Sequence, residues 1–130
     1  MNTMQLVSKQ IIRSQKSNIA MSLSNDFFDY VQDQLSPWSQ IDKKSMFGVL
    51  GLYRDGLMFG IIAKDVVYLK VDDSNKAKFQ EAGMEPLRVF KSNSEVPSYY
   101  ELPANILENS EAFIEWAQES YAIQVKKNRR

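Results

Sequence analysis

The sequence contains no cysteine and no histidine. Without cysteine there is no disulfide and no thiolate metal site, an absence that suits a reducing compartment. Without histidine, the commonest general base near neutral pH and the commonest transition-metal ligand are both missing. No apolar run is long enough to span a bilayer, because turn residues interrupt the most hydrophobic stretch. The N-terminus has no apolar core of the signal-peptide kind. No linker rich in Gly, Pro or Ser divides residues 21–125, and no internal repeat is found. These absences lead to the expectation of a cytoplasmic protein without cofactor or membrane span. The 130 residues, 44% hydrophobic and 25% charged, suit one domain with a single core.

Charge is balanced in total and uneven along the chain. Residues 1–20 carry Lys9, Arg13 and Lys16 and no acid, and the last five residues carry Lys126, Lys127, Arg129 and Arg130 and no acid. The middle holds nine basic against 16 acidic residues, a balance of −7. An acidic body is repelled by phosphate, so any contact with DNA is expected at the tails, with Lys126, Lys127, Arg129 and Arg130 as candidates. The division that follows is a flexible basic extension over 1–20, a domain over 21–125 and a basic tail over 126–130. Leu6, Val7, Ile11 and Ile12 are spaced for a short amphipathic helix, but nothing caps it.

The chain is organised around Met46 to Asp73. Asp55-Gly56 between two hydrophobic runs fits a two-residue type I′ hairpin turn. Lys64-Asp65 breaks the following run. The spacing predicts three antiparallel strands, about Lys44–Tyr53, Leu57–Ile62 and Val66–Val71. In the simplest register Leu52 faces Phe59, Gly51 faces Gly60 and Leu50 faces Ile61. Alternation then puts Leu50, Leu52, Phe59 and Ile61 on one face. A three-residue second turn, Ala63–Asp65, adds Val67, Leu69 and Val71 to that face and spares Lys70 from the core. The other face carries Tyr53, Met58, Ile62, Val66, Tyr68 and Lys70, with a bare patch at Gly51 and Gly60.

Outside this stretch, Ser24 or Asn25 can cap a helix to Leu35, with Phe28, Val31 and Leu35 on one face. Ser36-Pro37 ends it, and Trp38 is expected to cap the core edge. Asp72-Asp73 is read as a cap, Asp73 opening a helix from Ser74 to Ala82 that Gly83 closes, rather than as a metal site. Leu87, Val89 and Phe90 suggest a fourth strand, and Lys91–Glu95 a polar loop. Ser98–Leu102 suggests a fifth strand with Tyr99 and Tyr100 on opposite faces. Asn109 can cap a final helix, about Ser110–Ile123, with Phe113, Trp116, Ala117 and Tyr121 inward. Glu111, Glu115 and Glu119 then form a charged face that is solvated or near a basic partner. The expected fold is α+β and two-layered, a five-stranded antiparallel sheet with helices on one face, in the order α-β-β-β-α-β-β-α.

Several of these segments, taken together, resemble the N-terminal domain of the TfoX/Sxy family of bacterial competence regulators. They are Met46-Phe47-Gly48, Gly51-Leu52-Tyr53-Arg54-Asp55-Gly56, Met58-Phe59-Gly60 and Tyr68-Leu69-Lys70-Val71-Asp72-Asp73. They continue through Phe79, Ala82-Gly83-Met84-Glu85-Pro86, Tyr99-Tyr100-Glu101-Leu102-Pro103 and Trp116-Ala117. The family usually has a second glycine after the first of these motifs, where this chain has Val49. The resemblance runs from Met21 to about Tyr121, which implies a stand-alone N-terminal domain. It implies a secretion-chaperone-like fold and a role in transcription of DNA-uptake genes alongside the cyclic-AMP receptor protein. It carries no catalytic or binding residue onto this chain.

These residues bear on three functions. The first is a non-enzymatic regulator acting through protein contacts, with Tyr53, Met58, Tyr68 and Lys70 as the candidate surface. Its partner would be the transcription machinery, the cyclic-AMP receptor protein or a second copy in a homodimer. The second is an accessory protein that binds DNA through its basic tails; a chaperone-like peptide-binding module is a further alternative. The third, an enzyme, is not expected. Asp55, Asp72 and Glu101 have turn, cap and rim readings, and no glycine-rich phosphate loop leads from a strand into a helix.

Overall fold

The computed structural model describes residues 19–88 and 94–129, with side chains from residue 26 onward. The expected amphipathic segment near Ile11, the strand positions Val89 and Phe90, and Arg130 lie outside the described residues. Helix α1 (Ile19–Leu35) is followed by β1 (Asp42–Met46), β2 (Val49–Arg54), β3 (Leu57–Ala63) and β4 (Val66–Lys70). Helix α2 (Lys76–Glu81), strands β5 (Pro86–Arg88) and β6 (Glu95–Glu101), and helices α3 (Ala104–Leu107) and α4 (Ser110–Asn128) complete the chain. One antiparallel sheet of six strands results, in the order β1-β2-β3-β4-β6-β5. The α+β class is as expected; the five-strand count is not.

The extra strand comes from a turn inside the expected first strand. Phe47 and Gly48 have φ of 48° and 82° and fold Lys44–Tyr53 into the β1–β2 hairpin. Two further hairpins use Asp55-Gly56 (φ 51° and 80°) and Lys64-Asp65 (φ 52° and 61°). Positive φ at both central residues is the type I′ signature, whose twist matches the flanking strands. Asp-Gly announces such a turn. Phe-Gly does not, which is why that hairpin escapes a reading of turn chemistry.

A bulge corrects the register. Tyr53 pairs with Met58 as expected, but Leu52 pairs with Gly60, Gly51 with Ile61 and Leu50 with Ile62. Phe59 is the inserted residue, and it stays in the core. Past it every β3 side chain changes face. Ile62 therefore joins the core and Ile61 leaves it, the reverse of the simple register. The β3–β4 turn is two residues long, with Ala63 paired to Val66, not three. Val67 then lies opposite Ile62, and Leu69 opposite Gly60. Val67, Leu69 and Val71 are buried in the core, as expected, but through a bulge plus a short turn. The two glycines do not face each other either. A Cβ on Gly60 would meet Leu69 and the Tyr68 carbonyl at 3.1 Å, which places Gly60 over the core.

All the core-forming helices share one side of the sheet. Phe28, Val31 and Leu35 of α1, Phe79 of α2, and Phe113 and Ala117 of α4 pack on Leu52, Phe59, Ile62, Val67, Leu69 and Tyr100. Trp38 meets the Phe59 and Tyr121 rings edge-on, at 5.6 and 5.8 Å between centroids. The Arg54 guanidinium lies against Trp38 and Tyr121, 4.9 and 4.8 Å from their ring centres. Trp38 thus closes the core edge and holds a cation at its rim.

The helix ends differ in part from expectation. Ser24 and Asn25 lie inside α1 (Ile19–Leu35) and so do not cap its start. Asp73 caps nothing: α2 starts at Lys76 after Asn75, and the Asp72 carboxylate accepts from the Ser74 amide at 2.8 Å and from its hydroxyl. These bonds hold the Asp72 carboxyl below the usual carboxylate range. Gly83 follows α2 with φ 79°, the left-handed position that favours glycine. The Asn109 side chain accepts from the Ala112 amide at 3.1 Å, the expected cap. Helix α4 runs on to Asn128, past the expected end near Ile123. Pro97 lies in β6 beside a register shift between Pro86 and Leu87, where a missing N–H is tolerated.

Strands β3 and β4 part beyond the pair Gly60–Leu69, and side chains replace the missing ladder. The Lys70 carbonyl accepts from Ser120 Oγ at 2.7 Å and from Asn75 Nδ2 at 3.1 Å. The Met58 carbonyl accepts from Gln124 Nε2 at 2.7 Å. Ser120 and Asn75 are buried, so these side chains fill the gap in the ladder and satisfy its carbonyls.

Candidate protein-interaction face

The sheet surface opposite the helices carries its own apolar cluster. Ile61, Ala63, Leu87 and Tyr99 are buried within it, and Val49, Met58, Tyr68 and Val96 pack around them. Every member is a strand or strand-end residue, and no described helix contributes to it. Alternation explains the membership: Ile61 pairs with Tyr68, Ala63 with Val66 and Tyr99 with Lys70. The bulge at Phe59 brings Ile61 and Ala63 to this side.

Four residues were expected here, and the structure brings them to one face. Tyr53 and Met58 are paired across β2–β3 and half-buried. They close over Gly51, where a Cβ would lie 2.9 Å from both the Met58 Sδ and the Tyr53 ring. The expected bare patch is therefore roofed by these side chains. Tyr68 is half-buried, and burial with the neighbouring Glu101 carboxylate pushes its hydroxyl up from the ordinary phenol value. Lys70 is on the expected face but only 8% exposed. Its ammonium lies 5.3 Å from the centre of the Tyr99 ring, its stem covered in the way long cationic side chains allow. Burial, and then the Lys127 charge, lower its pKa. Burial and Tyr53 push the Tyr99 hydroxyl up to about 12.

Residue chemistry alone did not single out Ile61, Tyr99, Leu87 or Val96 for this face. Ile61 was hidden by the bulge, Leu87 and Val96 by the β5–β6 register shift. The tyrosine pair at 99–100 was legible: Tyr100 faces Phe79 in the core, centroids 6.1 Å apart, while Tyr99 turns to the opposite side. Of the basic candidates, Lys126 and Lys127 occupy the last turn of α4 and are exposed, as is Arg129. Glu119 pairs with Lys78 at 2.7 Å, so one of the three α4 acids meets a base within the chain, while Glu111 and Glu115 are exposed. Asp55 lies 3.6 Å from Arg54 and accepts from the Tyr121 hydroxyl at 3.3 Å.

The arrangement is that of a two-layer α+β domain presenting a mixed aromatic and aliphatic sheet face. The model of the TfoX N-terminal domain matches residues 33–123, and the chain belongs to that family. No curated relative matches it. Among the described residues, no helix is long and apolar enough to cross a membrane.

Proposed function

We propose that this protein is a non-enzymatic regulator that acts through protein contacts, in transcription of DNA-uptake genes. The observation that supports it is the second apolar cluster, made wholly of strand residues on the side away from every described helix. Half-exposed Tyr and Met around a buried aliphatic floor are the usual composition of a contact core. Two of the three candidate acids are engaged locally: Asp55 with Arg54 and Tyr121, Asp72 with Ser74. The partner proposed from family membership is the cyclic-AMP receptor protein or the transcription machinery around it.

The test is direct binding of the full chain to purified cyclic-AMP receptor protein and to RNA polymerase by biolayer interferometry. Wild type binds one of them. Tyr68→Asp, with its thermal melt still cooperative, weakens that binding at least tenfold, since it desolvates a charge at the centre of the contact. Equal binding by a folded Tyr68→Asp chain would remove the face from the proposal. Absence of binding to either protein would remove the partner.

A further inference from the structure

Among the described residues one large hydrophobic side chain is fully exposed: Phe47, at 98%. It occupies the first central position of the β1–β2 turn with φ 48°. Type I′ turns favour Asn, Asp or Gly there, and a bulky residue at positive φ is strained. The other two type I′ turns among the described residues put Asp55 and Lys64 at the same position. Phenylalanine is thus unfavourable for the turn and gains nothing by packing on the described residues.

A cavity of about 510 Å³ opens beside this turn. Ser45, Leu50 and Ile62 form its floor, a row across three neighbouring strands, since Ser45 pairs with Leu50 and Leu50 with Ile62. Lys43 forms one side, its ammonium 4.6 Å from the Phe28 ring centre. Gly48 and Val49, directly after Phe47, also line it, and the charged Lys64 and Asp65 of the β3–β4 turn border it. Protrusion and recess are therefore neighbours on one end of the sheet. An isologous two-fold requires that arrangement, because each copy offers the same patch to the other.

We propose that two copies of this chain associate by reciprocal insertion of Phe47 into the recess over Leu50 and Ile62 of the other copy. A buried Phe contributes about 150–250 Å². Two such rings and the recess walls that receive them remove roughly 600–1,000 Å² in all, at or below the lower bound of about 1,000–1,200 Å² for specific interfaces. The dimer is accordingly weak and transient. The floor of its recess, Leu50 and Ile62, lies on the helix side of the sheet and only Val49 borders both surfaces, so the two proposals fail separately.

Sedimentation velocity of the full chain over a concentration series tests this. The weight-average sedimentation coefficient of wild type rises with concentration toward that of a dimer. Phe47→Asn, which suits the turn, melts no lower than wild type and remains monomeric. Ser45→Trp, which fills the recess from an exposed strand position, also remains monomeric. An equimolar mixture of these two variants regains part of the association, one supplying the ring and the other the recess. Tyr68→Asp leaves it unchanged. A monomeric wild type at all concentrations, association that survives Phe47→Asn, or a mixture that stays monomeric would each overturn the proposal.

Discussion

The parted end of β3 and β4 allows a quantitative test. The Lys70 carbonyl has two side-chain donors, Ser120 and Asn75, and Asn75 Oδ1 also accepts from the Asp72 amide at 2.9 Å. Ser120→Ala removes one bond while the carbonyl keeps its other donor, which costs about 1 kcal/mol. Asn75→Ala removes two bonds and leaves the Asp72 amide without its partner, about 2 kcal/mol or slightly more. The double variant differs in kind. It leaves a carbonyl in the protein interior with neither side-chain donor, and an unsatisfied buried acceptor costs about 1–3 kcal/mol. The pair should therefore exceed the sum of the singles by about 1 kcal/mol, as expected for groups that share one acceptor. Urea unfolding measures this. With a slope of about 1–3 kcal/mol/M, 2 kcal/mol moves the midpoint by roughly 1 M. Additivity within about 0.3–0.5 kcal/mol would refute the shared-acceptor account.

Two further outcomes follow from the same geometry. Gly60→Ala should destabilise by about 1–3 kcal/mol, because its methyl meets the Tyr68 carbonyl and Leu69 in a close-packed core. Gly51→Ala should cost less and instead shift Tyr53 and Met58, read as altered near-ultraviolet dichroism of the tyrosines; equal costs in urea would contradict the assignment of the two glycines to opposite faces. The Tyr99 phenol, raised to about 12 from 10.0, favours the neutral form in the folded state. Its contribution is therefore complete below about pH 10 and is lost as pH rises through about 12. The urea midpoint should fall over that window, less steeply in Tyr99→Phe. Tyr30 and Tyr68, also raised, supply the remainder. An identical fall in Tyr99→Phe would place the titration elsewhere.

Both layers were legible in the residues, as was the sidedness of the sheet. Phe28, Val31 and Leu35 repeat at helical spacing. Val67, Leu69 and Val71 alternate at strand spacing and are buried, while Tyr68 remains half-exposed on the opposite side. Periodicity is a local property of the chain, so it can be read without contacts. The same holds for Asp55-Gly56, for Gly83 after α2 and for Asn109 at the start of α4, where chemistry within four residues sets the geometry.

What required the tertiary structure was register and pairing. One inserted residue, Phe59, exchanged Ile61 for Ile62 on the helix side. It separated Gly51 from Gly60 and compensated for a turn one residue shorter than expected. A bulge is selected by how side chains on the two faces pack, not by the local sequence that carries it. The first hairpin was hidden for a related reason, since Phe47-Gly48 is a turn that the chain's own chemistry does not favour. The residues alone determined which segments form helices and strands and which side chains are apolar. Only the assembled sheet decided which of those apolar side chains share the open face, because that choice depends on partners distant in sequence.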